Sequence, residues 1–497
     1  MGATRLQAAD REFLVALHRV VYGNPFSDER AQLIQRLVPG ASSAQLAADR
    51  EALPRIVEPR LSAFADGDVQ RLNADDRRLV QNAFVYVCYH HHVPQLDEHI
   101  AREVAREETP PTERLARSVI AELTRCGFDE EVATRYFAFF YQLRRAFHFI
   151  GGFLRGESEP MRQLRRALWD NVFTHDMLMY RDSLAGRMED FSTLLFGETG
   201  TGKGEAAAAI GRSGFIPYLR DKRRFAASFR DSFIAMNLSQ FPETLIESEL
   251  FGHRKGAFTG AIDHHAGVFE LCNAHGALFL DEIGEASIPV QIKLLRVLQD
   301  RTFTPLGSHE PERFAGRVIA ATNRPLAQLR AEGRFRDDFY YRLCSDVIRL
   351  PTLRERIAAS AHELEDLARW VVMRIGGEQH EALFPVVMEV LHRDVPSDYA
   401  WPGNVRELEQ AVRRIILTGR YTRELAGGSS SHEEEFSELA LSGQLSAKDL
   451  LGRYCAMLYR QLGTYAEVAE RSGLDRRTAR KYIVDYSPGV SPASIED

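Results

Sequence analysis

Leu194-Leu195-Phe196-Gly197-Glu198-Thr199-Gly200-Thr201-Gly202-Lys203-Gly204 is the stretch whose reading decides the fold. Apolar residues suited to a buried strand run into a glycine-rich loop, and the helix-forming run Glu205 to Ile210 follows. Strand, glycine loop and helix together make a phosphate cradle. The glycines let backbone N–H groups turn inward around a β-phosphate. The helix N-terminus adds partial positive charge, and Lys203 reaches the β- and γ-phosphates. Gly197, Glu198, Thr199, Gly200, Thr201, Gly202, Lys203 and Gly204 are therefore the expected nucleotide-binding residues. The pattern calls for Ser or Thr after the lysine, to ligate Mg²⁺, and Gly204 stands there instead.

Around this stretch, short apolar runs alternate with helical ones: Phe191 to Phe196, Phe233 to Met236, Ala277 to Leu280, and Arg317 to Ala321. That texture predicts an α/β domain with a parallel sheet. The third run ends in Asp281-Glu282. In a phosphate-loop ATPase the aspartate supports Mg²⁺ and the glutamate polarises the attacking water. A surface acidic pair would not explain a position capping a buried-type strand. Asn237 and Asn323 end two other runs, where an amide reads a γ-phosphate, holds a water, or simply caps a turn.

Between these elements lies Gly256-Ala257-Phe258-Thr259-Gly260-Ala261. Glycines on both sides of Ala-Phe-Thr predict a flexible tip carrying a bare aromatic. A nucleotide machine with such a tip is equipped to grip something other than nucleotide. The basic stretch Arg220-Asp221-Lys222-Arg223-Arg224 has no role that the residues themselves explain.

The chain of 497 residues is too long for one core and predicts about three domains. Residues 1–150 read as helical, with apolar residues at helical spacing such as Leu115, Val119, Ile120 and Leu123. The α/β part spans 155–350, a helical lid 351–421, a flexible acidic linker 422–443 and a compact helical segment 444–486. The net charge of −7 excludes a polybasic coat, so any DNA contact is a local patch. Five scattered cysteines give no disulfide framework and suit a reducing compartment. With neither a signal core nor a long apolar run, a cytoplasmic protein with no membrane partner is expected.

At the C-terminal end, Tyr465 to Ser472, the turn Gly473-Leu474 and Asp475 to Ile483 read as a helix-turn-helix. Val468, Ala469, Leu474 and Ile483 face inward and Asp475 caps the second helix. Arg476, Arg477, Thr478, Arg480 and Lys481 then face outward, where they meet phosphates or guanine edges of double-stranded DNA. In the N-terminal part, Tyr89-His90-His91-His92, with Cys88 and His99, reads either as a metal or haem ligand set or as a polar turn before Pro94. The aromatic run Tyr136 to Tyr141, with Phe147, Phe149 and Phe153, reads as core or domain interface.

Residues 155–421 closely resemble the AAA+ domain of the sigma-54-dependent transcriptional activators, the bacterial enhancer-binding proteins. The match is an ordered series: Gly156 to Met161, the phosphate loop, Leu245 to His253 leading into the hexapeptide, Asp281 to Gly284, Asn323, Arg334 to Arg342, Leu350 to Arg356, and Trp401 to Leu408. The C-terminal segment resembles the family's Fis-like DNA-binding end. The implied fold is multidomain: a helical N-terminal domain, an α/β AAA+ P-loop domain with helical lid, and a small all-α helix-turn-helix domain.

The resemblance also implies roles. ATP and Mg²⁺ would be the cofactors, with Lys203 on phosphate, Asp281 on the metal, Glu282 activating water and Asn323 as sensor. Asn237 would be the switch that holds Glu282 in one state. Arg336 and Arg342 would be arginine fingers reaching a neighbouring subunit, and Arg406 the second sensor in the lid. Gly256 to Ala261 would contact the sigma-54 RNA polymerase holoenzyme. Dimers on upstream DNA would assemble into a hexameric ring. The family's phosphate loop commonly carries an acidic residue at the position of Gly204, so hydrolysis here competes with a second reading, a DNA-binding regulator that only senses nucleotide.

Overall fold

A computed structural model describes residues 5–41, 45, 52–64, 68–107, 112–421 and 445–486. The linker expected over 422–443 lies outside these. The chain forms two compact units, Met1–Gly419 and Arg420–Asp497.

Among its described residues the first unit has nine strands: β1 (Thr193–Phe196), β2 (Tyr218–Leu219), β3 (Arg224–Phe225), β4 (Phe233–Asn237), β5 (Ala277–Asp281), β6 (Thr302–Phe303), β7 (Glu312–Arg313), β8 (Arg317–Thr322) and β9 (Asp346–Arg349). Five form one parallel sheet in the order β4-β5-β8-β1-β9. The period of two along each strand divides the core between its faces. Leu194, Leu278, Leu280, Val318 and Ala320 enter one cluster, with Leu294 and Leu298 of helix Ile288–Asp300. Leu195, Ala277, Phe279, Ile319 and Ala321 enter the other, with Ala206 and Ile210 of helix Lys203–Gly211. Both faces are covered, so these strands are apolar throughout rather than alternating.

The second cluster continues without a break into the N-terminal helices, through Phe137, Phe139, Phe140, Tyr141 and Phe149. The aromatic run is thus core, shared between helix Glu130–Ala146 and the sheet domain. Polar contacts fix the docking. Arg145 is fully buried, and its guanidinium donates to the carbonyls of Arg212 and Gly214 at 2.8 and 2.7 Å. It thereby caps the C-terminal end of the helix that follows the phosphate loop, where a cation meets the negative end of the helix dipole. Gln142 donates to the Ser213 carbonyl at 2.9 Å.

The basic stretch 220–224 joins β2 to β3 in a hairpin that packs on helix Glu130–Ala146. Phe225 stacks on Phe137 and Tyr141, with centroids 5.4 and 4.1 Å apart. Arg220 pairs with Glu130, and Arg223 with Glu113 at 3.3 Å. Arg220 and Arg223 serve this docking of the sheet domain against the N-terminal helices.

A separate cluster, including Leu17, Val20, Val57 and Val80, closes the far part of the N-terminal region. One helix, Ala74–Ala105, runs through Pro94, so the polar turn expected before that proline is absent. Burial of Val85, Cys88, Leu96 and Ile100 on both sides of the proline holds the helix through the lost backbone hydrogen bond. No described helix is long and apolar enough to cross a membrane.

The second unit comprises helices Ala447–Leu462, Tyr465–Ser472 and Arg476–Tyr486 around Cys455, Leu458, Val468, Ala469, Ala479 and Ile483. Gly473 takes φ +70°, as the turn requires. Asp475 accepts from the backbone N–H groups of Arg477 and Thr478 at 3.1 and 3.0 Å. Leu474 packs partly against this core.

Candidate functional site

The phosphate loop follows β1 and opens helix Lys203–Gly211. Gly200 and Gly202 have φ of +79° and +95°, angles that a side chain resists. A Cβ at Gly200 would also lie 2.1 Å from the Gly403 carbonyl oxygen, so the Gly403 segment and the loop touch backbone to backbone. The contact is completed by Val405 N–H donating to the Gly200 carbonyl at 3.1 Å. Asn404, fully buried with φ +52°, donates to the Thr199 carbonyl at 3.0 Å and to Glu198 at 3.2 Å. Its own oxygen accepts from Leu353 N–H at 2.7 Å. Arg354 pairs with Glu198 at 2.5 Å.

Lys203 is buried, and its ammonium donates to the carbonyls of Gly197 and Glu198 at 2.9 and 3.1 Å. Burial lowers its pKa, against the pull of Glu282 and Asp281. Thr201 donates to the Glu198 carbonyl at 2.8 Å, bracing the loop. A cleft of 350 Å³ runs along 199–205 past Asn237, Asp281 and Glu282 to Arg406. Phe153, Leu154, Met161, Leu367 and Trp370 give the cleft an apolar lining, a surface suited to a flat base.

Asn237 and Asp281 face each other at the ends of paired strands β4 and β5. The Asn237 oxygen accepts from Ser239 N–H at 2.9 Å and Ser239 Oγ at 2.7 Å, and the amide makes no hydrogen bond to Glu282 here. Glu282 has φ +55°. Burial, and then the Asp281 charge beside it, raise its carboxyl above the ordinary glutamate range. Asn323, past the end of β8, donates to Thr199 Oγ at 3.0 Å. The site thus gathers two carboxylates, a lysine and two amides around one loop. Carboxylates of this kind are hard oxygen donors that suit Mg²⁺ shared with phosphates. Gly204 adds no hydroxyl, but the space at its Cβ position is open to 4 Å.

Arg336 and Arg342 do not line this cleft. Arg336 pairs with Asp338 at 2.8 Å, and Arg342 donates to the Leu298 carbonyl at 2.9 and 2.7 Å. Sequence reasoning missed Glu363, which is fully buried, pairs with Arg356 at 2.6 Å and accepts from Glu157 and Ser158 N–H at 3.2 and 3.1 Å. Arg356 and Arg155 line the cleft. Arg356 ends the stretch Leu350 to Arg356; nothing local in the sequence marks Glu363.

In the hexapeptide, Gly256 and Gly260 take φ of +81° and +106°. Gly256 N–H donates to the Ala261 carbonyl at 2.8 Å and closes the loop. Phe258 is 43% exposed, its ring edge-on to His253 at 4.9 Å. Neighbouring Ile262 is 74% exposed, so the tip is an apolar projection. In the second unit, Arg476, Arg477, Arg480 and Lys481 are exposed and Thr478 half-buried. Arg480 lies over the Tyr465 ring at 5.7 Å.

The family described as Sigma-54 interaction domain matches residues 176–349. The regulatory protein AtoC of Escherichia coli K12 is 32% identical over 364 residues, covering 69% of this chain and 74% of AtoC. The Nif-specific regulatory protein of Azotobacter vinelandii is 42% identical, covering 47% of this chain and 42% of that protein. The DNA-binding transcriptional regulator NtrC of Azospirillum brasilense is 42% identical, with coverage of 48% and 45%. The chain therefore spans under half the length of the last two relatives. A solved structure of NtrX from Brucella abortus in complex with ADP aligns at a TM-score of 0.42 and 20% identity, covering 74% of this chain and 79% of that one. With a sigma-54 interaction domain laid over the phosphate loop, the acidic strand end and the projecting hexapeptide, the chain belongs to the sigma-54-dependent transcriptional regulators.

Proposed function

We propose that this protein is an ATP-driven activator. It binds upstream double-stranded DNA through the C-terminal helices, assembles from dimers into a hexameric ring, and remodels the sigma-54 RNA polymerase holoenzyme through the 256–261 loop. The observation that carries this reading is one cleft flanked by Lys203, Asp281, Glu282, Asn237 and Arg406, in a domain that also projects Phe258.

ATP is the substrate. Lys203 and the loop amides bind its phosphates, and the apolar lining of the cleft takes the base. Asp281 would hold Mg²⁺, which neutralises charge on the phosphates. Glu282, held in a partly desolvated pocket, accepts the proton of the attacking water. Asn323 orients that water or reads the γ-phosphate. Asn237, next to Asp281 and now engaged with Ser239, is free in principle to exchange partners and pass that state to the loop. Arg336 and Arg342 stand away from their own chain's cleft, which suits fingers delivered to a neighbour's γ-phosphate, where they stabilise transferring charge. In the second unit, Arg476, Arg477, Thr478, Arg480 and Lys481 meet phosphates and base edges.

Turnover measured against protein concentration tests the assembly. A steep rise supports hydrolysis between subunits, whereas no turnover at any concentration supports the nucleotide-sensing regulator favoured by Gly204. Thr259→Ala should spare ATP hydrolysis and abolish promoter opening; unaffected transcription would sink the loop's proposed role.

A further inference from the structure

The long N-terminal helix Ala74–Ala105 and the facing helix Thr112–Arg125 bring three chemically different ligand groups together. Cys88 and His92 lie one turn apart on the first helix, and Glu122 comes from the second. One ligand atom of each lies within 4.8 Å of the other two. Cys88 and His92 are buried, while Glu122 is partly open to solvent. The three consecutive histidines separate, as helical geometry demands. His90 packs between the rings of Tyr86 and Tyr89 at 4.4 and 5.3 Å. His91 points to the surface and pairs with Glu122 at 2.8 Å. Only His92 turns inward to Cys88, with His92 Nδ1 4.0 Å from Cys88 Sγ and 3.8 Å from Glu122.

The geometry points to a divalent metal site for Zn²⁺, held by Cys88 Sγ, His92 Nδ1 and a Glu122 carboxylate oxygen, on the helix pair that leads into Glu130–Ala146. Thiolate, imidazole and carboxylate are the donor types of Zn²⁺. The surroundings supply the outer contacts such a site needs. His92 Nε2 is 3.0 Å from Ser118 Oγ, which can accept a hydrogen bond from Nε2–H and leave Nδ1 to the metal. At present Nδ1 lies 2.9 Å from the Cys88 carbonyl, so binding moves the imidazole proton from Nδ1 to Nε2 and releases the thiol proton to solvent. His91 steadies the second oxygen of Glu122. Water completes the fourth tetrahedral position.

The test uses the full-length protein, stripped of metal and titrated with Zn²⁺ against a chromophoric chelator, with Co²⁺ absorption reporting thiolate ligation. One tight equivalent per chain is expected, with a thiolate-to-Co²⁺ charge-transfer band. Glu122→Gln, at a partly exposed position that leaves the fold intact, should weaken binding by at least about 10-fold. Cys88→Ser should remove the charge-transfer band, and Cys344→Ser, remote in sequence, should change neither. The proposal is overturned if the wild type takes up no Zn²⁺, or if Glu122→Gln and Cys88→Ser bind it as the wild type does.

Discussion

Arg145 is where the N-terminal helices hold the helix of the phosphate loop, and Arg145→Met tests that grip. Substitution leaves the Arg212 and Gly214 carbonyls, now bonded at 2.8 and 2.7 Å, without a donor. Each orphaned acceptor costs about 1–3 kcal/mol. The lost cation at a helix C-terminus adds up to about 2 kcal/mol. In the opposite direction, the buried guanidinium pays a desolvation penalty, visible in a pKa lowered chiefly by burial. Methionine escapes that penalty and keeps much of the packing against Tyr141 and Phe229. The net loss should be about 2–4 kcal/mol. In thermal unfolding of the full-length protein followed by near-UV circular dichroism, that is a fall of roughly 2–5 °C for a unit of this size. Arg220→Ala, which breaks an exposed pair with Glu130, should cost under about 1 kcal/mol. Melting of Arg145→Met within about 1 °C of wild type, or an equal loss in Arg220→Ala, would refute the reasoning.

Three further outcomes follow from the site and the second unit. Because the Glu282 carboxyl is raised in the fold, its stability contribution is complete below the ordinary glutamate pKa and is lost as pH rises through the raised value. Glu282→Gln should therefore bind ATP without hydrolysing it and melt above wild type at neutral pH; an advantage that persists unchanged at pH about 4 contradicts the assignment. Gly204→Ser enters open space in the first turn of a helix, should not lower the melting temperature, and should tighten nucleotide binding with Mg²⁺ more than with EDTA. A loss of several degrees would show that the space is not open. Arg477→Ala and Lys481→Ala should each reduce the salt slope of DNA binding, read by fluorescence anisotropy, by about 0.9; an unchanged slope removes that residue from the interface.

Much of the site was legible because its chemistry is local. The glycine-rich loop is a run of consecutive residues between a strand and a helix, and Asp281 and Glu282 stand directly at the end of an apolar strand. The hexapeptide announces itself through its two glycines, which do take positive φ. Glu363 was illegible. Its partners Arg356, Glu157 and Ser158 come from distant stretches, and a lone glutamate carries no pattern. The 220–224 hairpin read as unexplained charge because its acidic partners, Glu130 and Glu113, lie about 90 and 110 residues earlier. Pro94 misled in the other direction: a local breaker signal lost to burial along both sides of a long helix.

By itself, then, the sequence determined where the glycine-rich loop, the sheet strands and the C-terminal helices begin, because those depend on neighbours in the chain. It also showed that Cys88 and the histidines were worth weighing as ligands. Only the tertiary structure decided which histidine turns inward, that Glu122 meets it, and that the aromatic run of residues 136–141 belongs to the same core as the ATPase-type sheet. These are contacts between surfaces far apart in the chain. They are set by how helices pack and which side chains must leave water, and no spacing along the chain encodes them.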